Sequence, residues 1–392
     1  MPAIDPITMV AYNHKGTKFY NTTMKKYKLK QSCRFFRADR PCFYHKEFGS
    51  VCDDCDKYSP VNYKILIIKL GAFGDVLRTT ALCEPLKLLY PGSMLFWITE
   101  NNAIAILQGN RFVDRIIGKE SASALVSYFK FDLLINLDLD DEALILAGIS
   151  NAKEKKGFWF DSNGFVKCSS PVAQEYFLLS HDDRLKKQNV NTYQSIIASI
   201  SGLPNFGKII VPISDASKKN AQEFTKRYNL REKKTLGVVV GTGNRWITKK
   251  WPEKNFLELF SMLDDFNILI FGGPEEKELL ERIVEKSNKH VINTGHSNPV
   301  DYFFGLLDLC DIVVCCDTFA LHAAVGLGKK VVALFGPTSS SEVEMYGHGE
   351  KIASDISCIC CYKKECFVQP NCMELITPQR VFQVVRRLAG EK

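Results

Sequence analysis

Buried strands that alternate with helices dominate this chain from about residue 63 onward. The first of them, the run Tyr63-Lys-Ile-Leu-Ile-Ile-Lys69, leads through a glycine turn into a helical pattern from about Asp75 to Leu89. Strands that alternate with helices indicate a mostly parallel sheet covered by helices. We therefore expect an α/β fold.

The alternation occurs twice, and a polar stretch from about residue 203 to 234 separates the two series. This stretch contains one amphipathic helical run, Ala216–Tyr228. Further strands are predicted at Met94–Thr99, Phe131–Leu137, Thr235–Val240, Asn267–Phe271, Asp311–Cys316 and Lys330–Phe335, and further helices at Phe256–Leu263, Glu275–Glu285 and Pro378–Leu388. We predict a basic tail with a cysteine-rich extension at 1–60, a first α/β domain at 61–230 and a second at 231–392.

The net charge of the chain indicates what kind of partner it binds, and its hydropathy indicates in which compartment it lies. The formal net charge of +7 favours anionic partners, and six lysines fall within the first 30 residues. That tail is either a solvated segment or a contact with an anionic membrane surface. No run of roughly 18 apolar residues predicts a spanning helix, and no signal-peptide pattern begins the chain. We expect a cytoplasmic protein.

Most of the fourteen cysteines fall in two clusters near the ends of the chain. In a reducing compartment, such clusters indicate metal binding before disulfides. Four thiolates complete a tetrahedral zinc site, and the pair Cys52 and Cys55 has a common zinc-ligand spacing. The first set, predicted to hold structural zinc, is Cys33, Cys42, Cys52 and Cys55, with free thiols or an iron–sulfur cluster as alternatives. The second set, for which metal binding and free thiols are equally open, is Cys358, Cys361, Cys366 and Cys372.

The turn after the first strand reads Gly71-Ala-Phe-Gly74-Asp75. Its glycines allow the backbone to turn tightly and to approach a ligand. The turn lacks the spacing of a dinucleotide fingerprint. Asp75 either caps the following helix or acts as a general base at the carboxyl end of a strand, where α/β sheets place their ligands.

Two turns of the second series combine glycine with polar groups. Thr242 and Gly243 follow a strand and precede Arg245, Lys249 and Lys250, which suits a diphosphate. Gly272 and Gly273 follow the next strand and again allow a close approach. The alternatives are a solvated basic loop and an ordinary strand-to-helix turn.

The segment from Leu309 to Thr338 contains the most informative motif. Asp317 and Thr318 follow a buried strand, and His322 with Ala323 lies at the start of a helix. Small residues there admit a phosphate or a ribose beside the polar groups. Taken alone, a histidine such as His322 is more often a packed structural residue than a ligand-binding one.

Together these blocks resemble the heptosyltransferase family, glycosyltransferase family nine. The resemblance rests on ILIIKLGAFGDVLRTTAL, the GTG and TKKWP block, FGGPEE, DTFALHAAVGLGKKVVALFGPT and the tail that ends in CMELITP. It implies the GT-B architecture of two facing Rossmann-like domains, here with a small cysteine-rich N-terminal extension. The family's donor is typically ADP-heptose. One departure is Phe319, which stands where the family usually has glycine.

The resemblance also implies roles for individual residues. Asp75 matches the proposed catalytic base of an inverting transfer that needs no catalytic metal. Lys249 matches the lysine that meets the donor phosphates, and Asp317, Thr318 and His322 match the donor-binding block. The remaining donor-site candidates are Thr242, Gly243, Gly272, Gly273 and Ala323, and the candidates for the acceptor cleft are Lys69, Gly71 and Gly74. The implied acceptor is a lipid-linked or oligosaccharide surface glycan, such as a lipopolysaccharide core.

Three other functions compete with the transferase. An epimerase of sugar nucleotides uses similar sheets, and a nicotinamide oxidoreductase is weakened by the missing fingerprint. A zinc-containing nucleic-acid-binding protein needs a dense basic stripe that this chain lacks, so nucleic acid is not expected. Asp138-Leu-Asp140-Asp141 is either an acidic strand end or, less in keeping with two Rossmann-like halves, a Mg²⁺ or Mn²⁺ site.

Overall fold

The computed structural model describes residues 28–243, 246–287 and 291–390, and the backbone of two short strands, β1 (Val10–Tyr12) and β2 (Lys18–Tyr20). Most of the predicted basic tail, residues 1–30, and Arg245 lie outside the described residues. The chain divides into two compact units, Met1–Asn62 and Tyr63–Lys392. The predicted boundary near residue 230 stays a prediction, because both large sheets lie within the second unit.

The described part of the first unit has little regular structure. Strands β1 and β2 pair antiparallel, and one helix, α1 (Phe43–Phe48), ends at Gly49 in the left-handed conformation, with φ of 68°. No residue of α1 is buried. Aromatic side chains contact one another instead, as in the edge-on pair of Phe35 and Tyr44, whose ring centroids are 4.9 Å apart. A segment this poor in buried apolar surface depends on other stabilising groups.

The first sheet of the second unit has six strands in the order β5-β4-β3-β6-β7-β8. All neighbours run parallel except β7 and β8, which form an antiparallel hairpin. The strands are β3 (Tyr63–Ile68), β4 (Ser93–Thr99), β5 (Arg115–Gly118), β6 (Lys130–Asn136), β7 (Asn151–Phe160) and β8 (Val166–Cys168). The central strand β3 is fully buried from Ile65 to Ile68, which explains its unbroken apolar run.

Helices cover both faces of this sheet. They are α2 (Phe73–Thr79), α3 (Cys83–Leu89), α4 (Ile104–Leu107), α5 (Ala122–Tyr128), α6 (Asp141–Ile149), α7 (Pro171–His181), α8 (Asp183–Gln188) and α9 (Tyr193–Ile200). The continuous helix predicted from Asp75 to Leu89 is wrong, because a 3₁₀ turn at Thr80–Leu82 divides it. The hydroxyl of Thr80 donates to the carbonyl of Leu77, and Pro85 has no N–H to continue an α-helical ladder.

The second sheet also has six strands, all parallel, in the order β11-β10-β9-β12-β13-β14. They are β9 (Lys234–Val239), β10 (Phe266–Phe271), β11 (Val291–Asn293), β12 (Ile312–Cys316), β13 (Lys330–Phe335) and β14 (Gly349–Ala353). Its helices are α10 (Asp215–Tyr228), α11 (Glu253–Ser261), α12 (Lys277–Lys286), α13 (Val300–Asp308), α14 (Phe319–Gly326) and α15 (Pro378–Ala389). The predicted strands and helices of this half are found within a few residues of their expected bounds.

The two sheets confirm the predicted fold class, an α/β protein with two Rossmann-like halves. The halves meet where α2 of the first lies against α14 of the second. A Cβ atom on Gly74 of α2 would lie 3.7 Å from the Cα of Phe319. Both helices begin at the carboxyl end of a strand, so their N-termini share one groove. Within the described ranges, no helix is long and apolar enough to cross a lipid bilayer.

Candidate functional site

Asp75 lies in the first turn of α2, just beyond the end of β3. The N-cap of this helix is Ala72, so Asp75 is the third helical residue and not the cap. Its side chain is 35% exposed. The alternative role of Asp75 as a simple helix cap therefore does not hold, and its carboxylate is available for other contacts.

Two cations hold the carboxylate of Asp75. The guanidinium of Arg78 lies 2.8 Å from it, and the ammonium of Lys69 lies 3.8 Å away. Burial raises the pKa of Asp75, but the charges of Arg78 and Lys69 outweigh this effect and lower it. Lys69 is buried and also pairs with Asp138, and these carboxylates outweigh burial and raise its pKa well above the ordinary value. Asp75 is therefore ionised at neutral pH.

Arg78 is a residue of the site that the sequence reasoning missed. Its guanidinium lies over the ring of Tyr193, 3.7 Å from the centroid. The hydroxyl of Tyr193 is 2.9 Å from the hydroxyl of Thr79. The backbone N–H of Tyr193 donates to the backbone carbonyl of Glu342 in the second half. A cation over an aromatic face is restrained in position. The second half thus helps to orient the Arg78 that contacts Asp75.

A polar cavity of about 630 Å³ opens on one side of Asp75. Of the three predicted acceptor-cleft residues, Lys69 and Gly71 line it, as does Asp75 itself. Gly74 does not line it and contacts His322 instead. The remaining lining residues are Leu70, Ala72, Glu100, Lys119, Asp138, Asp140, Asp141 and Glu142.

A second cavity, of about 580 Å³, lies among the strand-to-helix turns of the second sheet. It is lined by 21 residues, among them Thr242, Gly243, Gly272, Gly273 and Thr318 of the predicted donor site. One wall is aromatic, because the rings of Phe303 and Phe319 stack 5.8 Å apart and Phe73 meets Phe319 edge-on at 5.9 Å. The size and the polar turns of the cavity suit a nucleotide.

Glu276 explains why glycines form these turns, and the sequence reasoning did not single it out. This buried carboxylate accepts hydrogen bonds from the N–H of Gly243 at 3.1 Å and of Gly273 at 2.9 Å. A Cβ atom on Gly241 would lie 2.2 Å from the Glu276 side chain. The only sequence signal for this role of Glu276 was its position three residues after Gly273 in the FGGPEE block. That the turn at Gly243 also reaches it is visible only in the structure.

Lys249 and Asp317 form an ion pair beside this cavity. The Lys249 ammonium lies 2.7 Å from the Asp317 carboxylate, which also accepts from the hydroxyl of Thr338 at 2.8 Å. Burial raises the pKa of Asp317, but the charge of Lys249 and the hydrogen bonds from Lys249 and Thr338 outweigh burial and lower the pKa to about 2. The structure thus brings together two residues that are 68 positions apart.

His322 lies between the two halves. It is buried in α14, and burial together with the charge of Arg78 lowers its pKa to about 4. Its imidazole is therefore neutral at pH 7, although it interacts with both Asp75 and Asp317. Ala323 is buried in the same helix and does not line the 580 Å³ cavity of the second sheet, called the donor-side cavity below. Ala320, one turn earlier, does line it.

The first turn of α2 separates the two cavities. Phe73 lines the cavity of the second sheet, whereas Ala72 and Asp75 line the acidic one. The hydroxyl of Thr318, at the N-cap of α14, has no hydrogen-bond partner among the described residues. The groove therefore contains the carboxylate of Asp75 with a cavity on either side of it. The N-terminus of α14, which has no side-chain cap, lies in the same groove.

The cysteines of each cluster lie around one cavity, but among the described residues they are not arranged to bind a metal ion. The first four cysteines all line one cavity of about 680 Å³, and the second four line another of about 430 Å³. Burial and the neighbouring thiols of Cys361, Cys366 and Cys358 raise the pKa of Cys372 to about 11. In the described part of the chain, no group of three or more His, Cys, Asp or Glu residues is arranged to hold a metal ion. This includes Asp138, Asp140 and Asp141.

Comparison with known proteins assigns the family. The model of glycosyltransferase family 9 (heptosyltransferase) matches residues 160–371, more than half of the chain. This chain belongs to glycosyltransferase family 9. The match covers the whole of the second sheet and every residue that lines the donor-side cavity except Phe73, and it confirms the resemblance drawn from the motifs.

Individual relatives are distant. Lipooligosaccharide heptosyltransferase 2 of Campylobacter jejuni serotype O:6 is 26% identical over 165 residues, which cover 40% of this chain and 52% of that protein. The chain thus spans about half the length of the Campylobacter relatives it matches. Lipopolysaccharide heptosyltransferase 1 of Escherichia coli K12 is 21% identical over 312 residues, which cover 74% of this chain and 92% of that enzyme.

Solved structures share the fold. A family 9 glycosyltransferase from Veillonella parvula superposes with a TM-score of 0.70 at 18% identity, over 85% of this chain and 98% of that one. An E. coli heptosyltransferase with ADP gives a TM-score of 0.55 at 18% identity, over 84% and 98% of the two chains. The two-sheet architecture of this family 9 member is therefore that of known glycosyltransferases.

Proposed function

We propose that this family 9 member is an inverting glycosyltransferase that transfers heptose from ADP-heptose to a hydroxyl of a lipopolysaccharide-core or other surface-glycan acceptor. One observation supports this most strongly. Asp75 on one half and the Lys249–Asp317 pair on the other flank the same groove, with His322 between them. A carboxylate facing the acceptor and a cation facing the diphosphate are what such a transfer requires.

The donor assignment rests on the cavity of the second sheet and on the relatives. The turns at Gly241–Gly243, Gly272–Glu276 and Thr318–Ala320 all border that cavity. The N–H groups of Gly243 and Gly273 already donate to Glu276, so the start of α14 is the part of this lining that favours phosphate oxygens. A structural relative was solved with ADP, and the matched relatives are heptosyltransferases. An adenosine diphosphate sugar is the donor that fits both lines of support.

In the reaction, an acceptor hydroxyl attacks C1 of the sugar from the side of Asp75. The new bond joins C1 to the acceptor oxygen, the bond from C1 to the diphosphate breaks, and ADP leaves with the electron pair. The hydroxyl proton passes to the carboxylate of Asp75. A positioned base of this kind contributes typically about 10²- to 10⁴-fold to the rate. Its lowered pKa keeps it in the accepting form.

The negative charge on the departing ADP needs compensation from the second half. Lys249 is a candidate, because its ammonium already lies at the start of α14 through its contact with Asp317. The hydroxyl of Thr318, which has no hydrogen-bond partner among the described residues, and the N-terminus of α14 are further candidates. Donors fixed in place before the reaction stabilise developing charge without reorganising.

We infer that the acceptor is presented at the inner face of the cell membrane to a cytoplasmic enzyme. The net charge of +7 favours contact with an anionic membrane surface. We retain structural zinc in the first cysteine cluster as a proposal, although its thiols must move closer together to share one ion. No step of the reaction above depends on a metal.

Product analysis tests the proposed function. The full chain is incubated with ADP-heptose and a heptose-deficient core acceptor, and the products are followed by mass spectrometry and by ADP release. We expect one heptose on the acceptor for each ADP released, and no transfer by Asp75→Ala, which should still bind ADP in calorimetry. A C2-epimerised sugar nucleotide without glycan product would favour the epimerase. Undiminished turnover by Asp75→Ala would remove that residue from the role of base.

A further inference from the structure

The cavity beside Asp75 has a charge that restricts which acceptors can enter it. We propose that the acceptor sugar bound there has no phosphate or carboxylate, and that the site selects a neutral or amine-bearing sugar. This inference rests on the proposed function, because it takes the cavity beside the candidate base as the acceptor site. It names the acceptor class within that site.

The lining of the cavity is strongly acidic. Eleven residues surround about 630 Å³, and six of them are carboxylates against two lysines. The carboxylates are Asp75, Glu100, Asp138, Asp140, Asp141 and Glu142. An anionic substituent would enter a space in which like charges predominate, and like charges placed together disfavour binding.

Both lysines of the lining are already paired with carboxylates. Lys69 pairs with Asp138 and lies 3.8 Å from Asp75. Lys119 lies 2.9 Å from Glu100 and 3.1 Å from Glu142. A phosphate or carboxylate that contacts either lysine would also face the two carboxylates that already hold it.

Arg78 offers no alternative. It does not line the cavity, and its guanidinium is held between Asp75 and the ring of Tyr193. Among the described residues, Asp140 and Asp141 form no ion pair, so their charges are uncompensated by side chains. Both lie at the start of α6, where the helix dipole favours acidic residues. The helix dipole explains why two acidic side chains are tolerated there. Asp140 and Asp141 in turn occupy the helix N-terminus, which would otherwise attract an anionic ligand.

Carboxylates suit the opposite kind of ligand. Each ionised carboxylate is a pure acceptor with two oxygens, and sugar hydroxyls and protonated amines are donors. Hydrogen bonds from such donors to charged acceptors are among the stronger ones in proteins. A sugar rich in free hydroxyls therefore satisfies this lining, whereas a phosphorylated or acidic sugar leaves several carboxylates facing like charge.

The experiment compares acceptors that differ in one substituent. With ADP-heptose as donor, kcat/KM is measured for three synthetic oligosaccharides whose terminal residue is a neutral hexose, the same hexose with a 4-phosphate, or a 2-amino-2-deoxyhexose. We expect at least roughly tenfold lower kcat/KM for the phosphorylated acceptor. We expect raised sodium chloride to narrow that difference, because salt screens charges at this partly exposed cavity.

Variants of the acidic lining link the preference to the cavity. Asp140→Asn with Asp141→Asn should raise kcat/KM for the phosphorylated acceptor severalfold and leave the affinity for ADP unchanged. Asp215→Asn, at a fully exposed position of α10, is the matched control and should leave the preference unchanged. Should the double variant fold poorly, the salt dependence of the wild-type preference decides the question.

The outcomes separate this inference from the proposed function. Equal or better use of the phosphorylated acceptor, with ADP-heptose still consumed, overturns the acceptor class and leaves the transferase intact. A preference that Asp140→Asn with Asp141→Asn does not change also overturns it. Failure to bind ADP in calorimetry overturns the proposed function itself.

Discussion

Gly74 and His322 touch across the groove between the two halves. A Cβ atom on Gly74 would lie 3.0 Å from Cδ2 of the buried His322 ring. The two helices therefore cross at a distance that leaves no room for a side chain. This contact fixes Asp75, the next residue, relative to α14 and the Lys249–Asp317 pair.

Replacing Gly74 by alanine should therefore damage the site more than the fold. The added methyl group must displace the His322 ring by a few tenths of an ångström, while alanine favours the helix by about 1 kcal/mol over glycine. We expect kcat to fall about tenfold, because small displacements of reacting groups are costly. The melting temperature should change little. Wild-type kcat in Gly74→Ala would contradict a functional role for this contact.

Gly71→Ala provides the stability comparison. A Cβ atom there meets nothing within 4 Å, so we expect the melting temperature of this variant to match that of the wild type. Differential scanning calorimetry of both variants separates a local displacement at His322 from a general loss of packing.

Removing the charge of Lys249 should weaken the binding of ADP. Lys249→Met keeps most of the side-chain length but leaves Asp317 without its partner, so that carboxylate would then repel a diphosphate. We expect the Kd for ADP to rise tenfold or more by calorimetry, since hydrogen bonds to charged groups are worth about 1.5–3 kcal/mol. Lys254→Met, an exposed lysine of α11, is the control. Unchanged affinity would move the diphosphate site elsewhere.

Most of the architecture follows from the sequence because its strands are buried on both faces. The run Ile65–Ile68 and its counterpart Ile312–Cys316 are apolar without interruption, which only a covered parallel strand tolerates. The hairpin of β7 and β8 escaped prediction for the opposite reason. Strand β7 contains Lys153, Lys155 and Lys156 and is buried only at Gly157 and Phe158, so it has no comparable apolar run.

The site was predictable in its residue types but not in its pairings. Asp75, Lys249 and Asp317 were identified from motifs. The i,i+3 spacing in a predicted helix is compatible with the contact between Asp75 and Arg78, but nothing in the sequence indicates that Arg78 rests on Tyr193. That arrangement depends on α9, which is far along the chain. The acidic lining is a similar case, because Glu100 and Glu142 come from different turns that only the sheet brings together.

The ion pair of Asp317 should make stability depend on pH in a defined window. Its pKa is lowered to about 2, so its contribution is present above the ordinary value near 3.8 and is lost as the pH falls through 2. Asp317→Asn should lower the free energy of unfolding by about 2 kcal/mol at pH 7 and by about half of that at pH 3. Guanidinium unfolding at both pH values measures this. Asp215→Asn should show no difference at either pH, and a gap in Asp317→Asn that does not shrink in acid would contradict the assignment.

Metal analysis of the purified full chain tests the cysteine clusters. If the first cluster holds structural zinc, mass spectrometry of the metal content should find roughly one zinc per chain. Cys52→Ser should remove it, and Cys168→Ser, outside both clusters, should not. The metal content of Cys372→Ser tests the second cluster in the same way: a loss of metal would show that this cluster binds it. A chain with less than about a tenth of an equivalent of zinc or iron would rule out metal in both.

Arg78 should set the pH dependence of catalysis through Asp75. The pKa of Asp75 is lowered because Arg78 and Lys69 outweigh its burial. In Arg78→Met the effect of burial gains weight, so the pKa of Asp75 must rise and the base becomes protonated at a higher pH. The acidic limb of the kcat/KM profile should therefore move to higher pH, with activity at pH 8 reduced less than at pH 5. Arg184→Met, an exposed arginine of α8, should keep the wild-type profile. An equal loss at every pH would mean that Arg78 supports the structure around Tyr193 without tuning the base.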